Sequence, residues 1–97
     1  MVIVNLQLKV IPDKRQAFLE WFHGLLPDTR NYDGCSEVNA CSTAAEPEAV
    51  DVISKWKSQE KYDAYLAWRE EEGTLAALDE FLTEEPKFRF LTVDQQF

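Results

Sequence analysis

The aromatic side chains are the residues of this sequence best suited to binding or transforming a small molecule. Phe, Trp and Tyr together account for 12 of the 97 residues. Trp56, Tyr62, Tyr65 and Trp68 fall on or beside positions that the local periodicity turns toward a core. Rings with a few polar tips are typical of a pocket that orients a flat ligand. Aromatic rings also fill a small core efficiently, so both interpretations are open.

The other chemistry-bearing residue types exclude most cofactor sites. His23 is the single histidine, so neither a two-histidine iron site nor a histidine-based zinc site can form within one chain. The 3 glycines do not form the glycine-rich motif of a dinucleotide-binding or phosphate-binding loop. No Cys-x-x-Cys motif occurs. No metal or cofactor is therefore expected. His23 itself has two interpretations, a half-exposed helix residue or a proton-transfer group.

Length and charge restrict the partners. A chain of 97 residues predicts a single domain over 1–97. Its formal net charge of −8 disfavours nucleic acid and anionic membrane surfaces as partners. Cys35 and Cys41 are separated by six positions of predicted strand, too far for a disulfide. Free thiols and a polar-interrupted N-terminal run, which is neither signal peptide nor membrane span, predict a cytoplasmic protein.

The elements that must position the aromatic residues follow from periodicity and turn signals. Apolar residues alternate over 2–10, which predicts a half-buried strand. A helix starts near Asp13 and is expected to be ended by Pro27 and the polar run over 28–31. Strands are expected over 35–42 and 49–56, joined by a hairpin loop at 46–48. A second helix follows Ser58, is interrupted at Gly73, and precedes a last strand over 88–93. The order βαββαβ predicts a ferredoxin-like α+β sandwich.

Such a fold covers one face of its antiparallel sheet with both helices and leaves the other bare. The bare face is predicted to carry Ile3, Asn5 and Gln7 from the first strand, with Asp51 and Ile53 from the third. This mixture is too apolar for permanent contact with water. A homodimer that presses two such faces together is the expected solution.

The segment 56–66, WKSQEKYDAYL, resembles the signature of antibiotic biosynthesis monooxygenase (ABM) domains. In that family a tryptophan ends the third strand, a short Ser/Asp-x-Glu helix start follows, and an aromatic residue precedes Ala-His-Leu. The DGC at 33–35 and the PDKR at 12–15 resemble the family too. The resemblance implies a ferredoxin-like dimeric α/β barrel. It also implies a monooxygenase without cofactor that oxidises quinols or polyketide phenols with O₂.

Carried over residue by residue, the resemblance assigns Trp56 to the family tryptophan and Tyr62 to a tyrosine of polyketide-oxidising members. The asparagine that those members keep four residues before the tryptophan is Val52 here. The histidine of Ala-His-Leu is Tyr65. Asn5 stands where haem-degrading relatives keep an asparagine, but their haem-ligating histidine falls near Leu66.

The predicted site follows from these assignments. An electron-rich phenolate can reduce O₂ directly, so the protein need only bind the ring, favour its anion, exclude water and relay a proton. The candidate catalytic residues are Trp56, Tyr62 and Tyr65. The candidate substrate-binding residues are Asn5, His23, Val52 and Trp68. A ligand-binding dimeric barrel without catalysis is the alternative, and haem degradation is less favoured because its ligand is missing.

Overall fold

Four antiparallel strands and three helices make up the chain, in a computed structural model that describes all 97 residues. The strands are β1 (Val2–Lys9), β2 (Cys35–Thr43), β3 (Glu46–Trp56) and β4 (Lys87–Thr92). The helices are α1 (Arg15–Asn31), α2 (Gln59–Glu71) and α3 (Thr74–Asp79). The sheet order is β2-β3-β1-β4. The predicted ferredoxin-like α+β fold is confirmed.

The period-two pattern of β1 decides which side of the sheet meets the helices. Val2, Val4 and Leu8 are buried, as predicted, and the register places them opposite Trp56, Ser54 and Val50 of β3. The helices pack on this side and create two core clusters. One cluster centres on Phe18 and Phe22 of α1, and the other on Trp56 and Tyr62.

The other side of the sheet carries no helix. Its residues are partly exposed, as in Ile3, Asn5 and Gln7 of β1 and in Asp51 and Ile53 of β3. Asn5 Oδ1 is nevertheless buried without a hydrogen-bond partner. Strand β4 pairs only with β1, and all six of its residues are exposed. The sheet thus has one open face and an exposed apolar edge.

The prediction that Pro27 and the polar run over 28–31 end the first helix is wrong about Pro27, because α1 includes this residue and continues through the polar run to Asn31. A proline within a helix removes one backbone hydrogen bond and crowds the preceding turn. The turn beyond Pro27 is held by tertiary contacts, since Thr29 is buried and bonded to side chains of α2. The start of this helix also differs, with a 3₁₀ turn over Pro12–Lys14 before Arg15.

The predicted hairpin loop at 46–48 is also wrong, because β3 begins at Glu46 and the turn lies at 44–45. Proline usually interrupts a strand because it cannot donate to the ladder. Here the β2–β3 register is irregular between Ser42 and Thr43. Pro47 falls in that irregular part, so its missing N–H is tolerated.

The turns that bring α2 and α3 over the sheet are well defined. Ser58 caps α2 by accepting a hydrogen bond from Lys61 N at 3.3 Å. Gly73 has a φ of 95° and separates α2 from α3, where the sequence predicted an interruption. A left-handed backbone of this kind favours glycine. None of the helices has the length and apolar character needed to span a membrane.

Candidate functional site

A narrow cleft lies between the helix-covered face of the sheet and all three helices. Of its 17 lining residues, 13 are hydrophobic. Its empty volume is about 590 Å³ when the solvent at its mouth is included, but the space open to the centre of a water molecule is about 50 Å³. The enclosed space of this cleft, called the slot below, is therefore small, and a thin ligand such as a flat ring would need less widening of it than a bulky one.

Aromatic rings from the end of β3 and the start of α2 form one wall. The Trp56 ring centroid lies 5.2 Å from that of Tyr62 and 5.0 Å from that of Tyr65. Trp56 is the last residue of β3, and the Ser58 cap starts α2 immediately after it. The first turns of α2 therefore run back over the indole, and this local geometry brings the three rings together.

Ser54 supplies a hydroxyl beneath the aromatic wall. It is buried, lines the cleft and accepts a hydrogen bond from Trp56 Nε1 at 2.8 Å. Residues two apart on a strand share a face, which explains why the two side chains meet. The hydrogen bond fixes the indole plane. Because Ser54 acts as the acceptor, its own hydroxyl proton can be donated to a ligand.

A second group of polar side chains joins α1 to α2. The Tyr65 hydroxyl lies 2.7 Å from Thr29 Oγ1 and accepts a hydrogen bond from Arg69 Nε at 3.1 Å. Thr29 Oγ1 donates to the Leu25 carbonyl at 3.3 Å and accepts from Arg69 Nη2 at 3.2 Å. Since Thr29 has a single hydroxyl proton, Tyr65 is the donor in the bond between the two hydroxyls. The Tyr65 hydroxyl is thereby held in one orientation.

Arg69 is the only charged residue that lines the cleft. Its side chain is almost fully buried, and its guanidinium carbon lies 4.5 Å from the Trp68 ring centroid and 5.5 Å from that of Tyr65. The nearest carboxylate oxygen, Glu72 Oε1, is 3.6 Å from Nη1. At that distance the two side chains form an ion pair, but they are too far apart for a hydrogen bond.

Glu72 is engaged mainly by Thr74 rather than by Arg69. Its Oε1 accepts hydrogen bonds from the backbone N–H and the hydroxyl of Thr74 at the start of α3. The Thr74 hydroxyl is the largest cause that lowers the pKa of Glu72, with the Arg69 charge contributing less. Glu72 is therefore held as a carboxylate beside Arg69, while its hydrogen bonds go to Thr74.

Tyr62 is the most deeply buried hydroxyl-bearing ring of the wall. Burial raises the pKa of Tyr62 well above its ordinary value, and the neighbouring Tyr65 and Asp63 add to the shift. A hydroxyl that stays protonated in this way keeps its proton available for a hydrogen bond and does not act as a base at neutral pH.

The family model for antibiotic biosynthesis monooxygenase matches residues 1–80. The chain belongs to the ABM family. Among solved structures, an antibiotic biosynthesis monooxygenase superimposes with a TM-score of 0.87 at 15% identity, over 98% of this chain and 100% of that one. A Deinococcus radiodurans protein with the same family designation superimposes with a TM-score of 0.88 at 16% identity, over 100% of this chain and 96% of that one.

A conserved protein from Methanosarcina mazei Go1 gives a TM-score of 0.84 at 21% identity, over 93% of this chain and 89% of that one. At such identities these ABM-like structures establish the fold alone. No curated protein matches the chain.

The structure brings four of the seven predicted site residues of this ABM domain into the cleft, namely Val52, Trp56, Tyr62 and Tyr65. The other three lie outside its lining. Asn5 is on the open side of the sheet and His23 is exposed on α1. Trp68 stacks on Tyr32, with ring centroids 5.3 Å apart, and supports Arg69 from outside the cleft.

Four polar lining residues were not among the predicted site residues: Thr29, Ser54, Arg69 and Thr74. Arg69 and Tyr65 are four residues apart on α2, a spacing that places side chains together. Ser54 precedes Trp56 by two on β3, which is also a readable signal. Thr29 gave no such signal, because it belongs to the polar run that was expected to end its helix. No group of three His, Cys, Asp or Glu side chains is arranged to hold a metal ion.

Proposed function

We propose that this ABM protein is a cofactor-independent monooxygenase that oxidises a quinol or phenolic aromatic substrate with O₂. One observation carries the proposal: a slot walled by Trp56, Tyr62 and Tyr65 has few polar groups, and these meet at defined places. A flat ring entering the slot would stack on aromatic side chains and lose contact with water. Membership of the ABM family supports the same activity.

The reaction proposed needs no reactant besides the substrate and O₂. With an anthrol as the example, the substrate anion gives one electron to O₂, and the resulting radical pair combines to form a carbon–oxygen bond. The peroxide takes up a proton, the carbon-bound proton leaves, and the O–O bond breaks. One oxygen atom remains in the product as a carbonyl. The other leaves as hydroxide, which a proton converts to water.

In this proposal each side chain of the cleft has a role suited to its surroundings. Trp56 stacks on the substrate ring, and Val52 contributes apolar surface that excludes water. Tyr62 remains protonated and donates a hydrogen bond to a substrate oxygen. Tyr65, whose proton is held by Thr29, offers an oriented oxygen that can accept a hydrogen bond from the substrate. Asn5, His23 and Trp68 take no part because they lie outside the lining.

We propose further that two copies of the chain pair through their open sheet faces in the cytoplasm. Partly buried apolar side chains such as Ile3 and Ile53, which no helix covers, support the pairing. The two free cysteines support a reducing compartment. Sedimentation at micromolar concentration is expected to give a dimer, and Ile53→Lys is expected to give a monomer. A monomeric wild-type protein would overturn the pairing.

The activity is tested with an oxygen electrode and a panel of hydroquinones and anthrols, against a blank without protein to subtract autoxidation. Under ¹⁸O₂, product carrying one labelled oxygen is expected. Tyr62→Phe should lower turnover at least tenfold, equivalent to about 1.4 kcal/mol of barrier. Tyr32→Phe, outside the cleft, should leave turnover unchanged.

Saturable binding of the panel compounds without oxygen uptake would favour the alternative, a ligand-binding protein without catalysis. The narrowness of the slot and the pairing of its polar groups with one another fit that alternative as well. A saturable shift of the haemin Soret band at one haem per chain would instead favour haem binding and degradation.

A further inference from the structure

The charge distribution inside the cleft is opposite to that of the whole molecule. The chain carries a formal net charge of −8, yet the cleft is lined by one cation, Arg69, and by no carboxylate. In an environment of low dielectric constant, a single charge acts on its neighbours far more strongly than in water. A charged ligand in the cleft would therefore interact strongly with Arg69, whose nearest counter-ion, Glu72, lies outside the lining.

The hydrogen bonds of Arg69 leave part of the guanidinium free. Nε donates to the Tyr65 hydroxyl, and Nη2 donates to the Leu25 carbonyl at 3.0 Å and to Thr29 Oγ1. Nη1 has only Glu72 Oε1 near it, at 3.6 Å. Because that oxygen is held by Thr74, Nη1 keeps donor capacity for another acceptor.

The same bonds fix the guanidinium before any ligand arrives. Its plane is supported by the Trp68 ring at 4.5 Å and tied to α1 through Leu25 and Thr29. A buried arginine loses little side-chain freedom when it binds an acceptor if it is already immobile. The arrangement has the properties of an anchor for an anionic oxygen.

We infer that Arg69 binds the anionic oxygen of an aromatic oxygen acid, a phenol, enol or carboxylic acid, whose ring occupies the slot beside Trp56. The inference rests on the proposed function for the identity of the site and adds the class of substrate to it. Ionised ligands are selected over neutral ones of the same shape. For an oxidisable phenol or enol, this selection supplies the electron-rich form that reacts with O₂.

Two pairs of probes that do not reduce O₂ test the inference separately from turnover. The first pair is 2-naphthoate and 2-naphthamide, and the second is 4-nitrophenolate and 4-nitroanisole. Dissociation constants are measured by calorimetry at a pH where both acids are ionised. Wild-type protein is expected to bind at least one anion tenfold or more tighter than its neutral partner. The pair with the larger ratio identifies the oxygen acid preferred.

Arg69→Met removes the guanidinium and its charge while keeping an unbranched apolar stem, and should bring the ratio of the preferred pair close to one. Lys57→Met removes the same charge from an exposed position beyond β3 and should leave the ratio unchanged. Arg69→Lys keeps the charge without the planar fork and should give an intermediate ratio. The ratio separates binding from folding, because a purely structural arginine would alter stability but not the preference between two probes.

If Arg69→Met does not fold, the wild-type protein still decides the matter. The Arg69 Nε–H resonance in a ¹⁵N spectrum is expected to shift with the preferred anion and not with its neutral partner. A ratio near one for both pairs in wild type would overturn the inference, as would an unchanged ratio in Arg69→Met. An anion preference without oxygen uptake on the quinol panel would leave the anion site standing and refute the monooxygenase.

Discussion

Removal of the Tyr65 hydroxyl by Tyr65→Phe isolates the polar connection between α1 and α2. The change deletes one oxygen atom and almost no volume. Two hydrogen bonds are lost, the one to Thr29 at 2.7 Å and the one from Arg69 Nε at 3.1 Å. The Arg69 donor is left unpaired in a buried position, where a lost bond to a charged group costs about 1.5–3 kcal/mol.

We therefore expect Tyr65→Phe to lower the free energy of unfolding by about 2 kcal/mol. For a domain of this size that corresponds to a fall in the thermal midpoint of roughly 8–16 °C. Tyr32→Phe is the matched control, because its hydroxyl makes one exposed bond to the Ala64 carbonyl at 3.3 Å. It should cost about 0.5 kcal/mol, the low end for a single hydrogen bond.

Urea unfolding at one fixed protein concentration measures both variants, since any association would make the midpoint depend on concentration. A double-mutant cycle with Arg69→Met then gives the coupling between the two side chains. Equal losses in Tyr65→Phe and Tyr32→Phe, or zero coupling in the cycle, would refute the account of the polar connection given above.

Trp56→Phe should cost about 1–3 kcal/mol in urea unfolding, because the indole is fully buried, and a loss below about 0.5 kcal/mol would contradict its place in the core. Gly34→Ala should destabilise the protein more than Gly73→Ala in the same assay. Both glycines have φ near 95°, but a Cβ at Gly34 would lie 2.6 Å from Lys61 Cβ, whereas a Cβ at Gly73 would meet no atom within 4 Å. Equal losses would refute that steric argument. Hydrogen bonding to Lys61 lowers the pKa of Asp33, so this pair should stabilise above the unfolded pKa of about 3.9 and lose its contribution as pH falls through the lower folded value. Asp33→Asn should flatten that acid limb of the stability curve; an unchanged limb would show that the pair contributes nothing.

The order of elements and the inward faces could be predicted because they depend on local patterns. Alternation in β1 and the spacing of Tyr62, Tyr65 and Arg69 are properties of single segments, and the structure follows them. The extent of α1 could not be predicted, because the turn after Pro27 is kept by bonds to α2 that no local pattern reveals.

The candidate site divides in the same way. Trp56 and Tyr62 are close in sequence and their meeting follows from one strand–helix turn. Arg69 lies four residues after Tyr65 on α2, but its isolation as the sole charge in the cleft depends on three helices and the sheet together. Alternation along β1 places Asn5 on the open face of the sheet. It was nevertheless predicted to bind substrate, because the family resemblance assigned it that role.

The position of β1 between β3 and β4 also has a consequence for biosynthesis. β1 is made first of the four strands, and its outer ladder runs to β4, where Val2 pairs with Thr92. All three helices and two strands are translated before that partner exists. Contacts so distant in sequence also slow folding. The nascent chain therefore carries an unpaired strand edge through most of its synthesis. The exposed β4, with Lys87 before its apolar residues and Arg89 between two of them, pairs with that edge last.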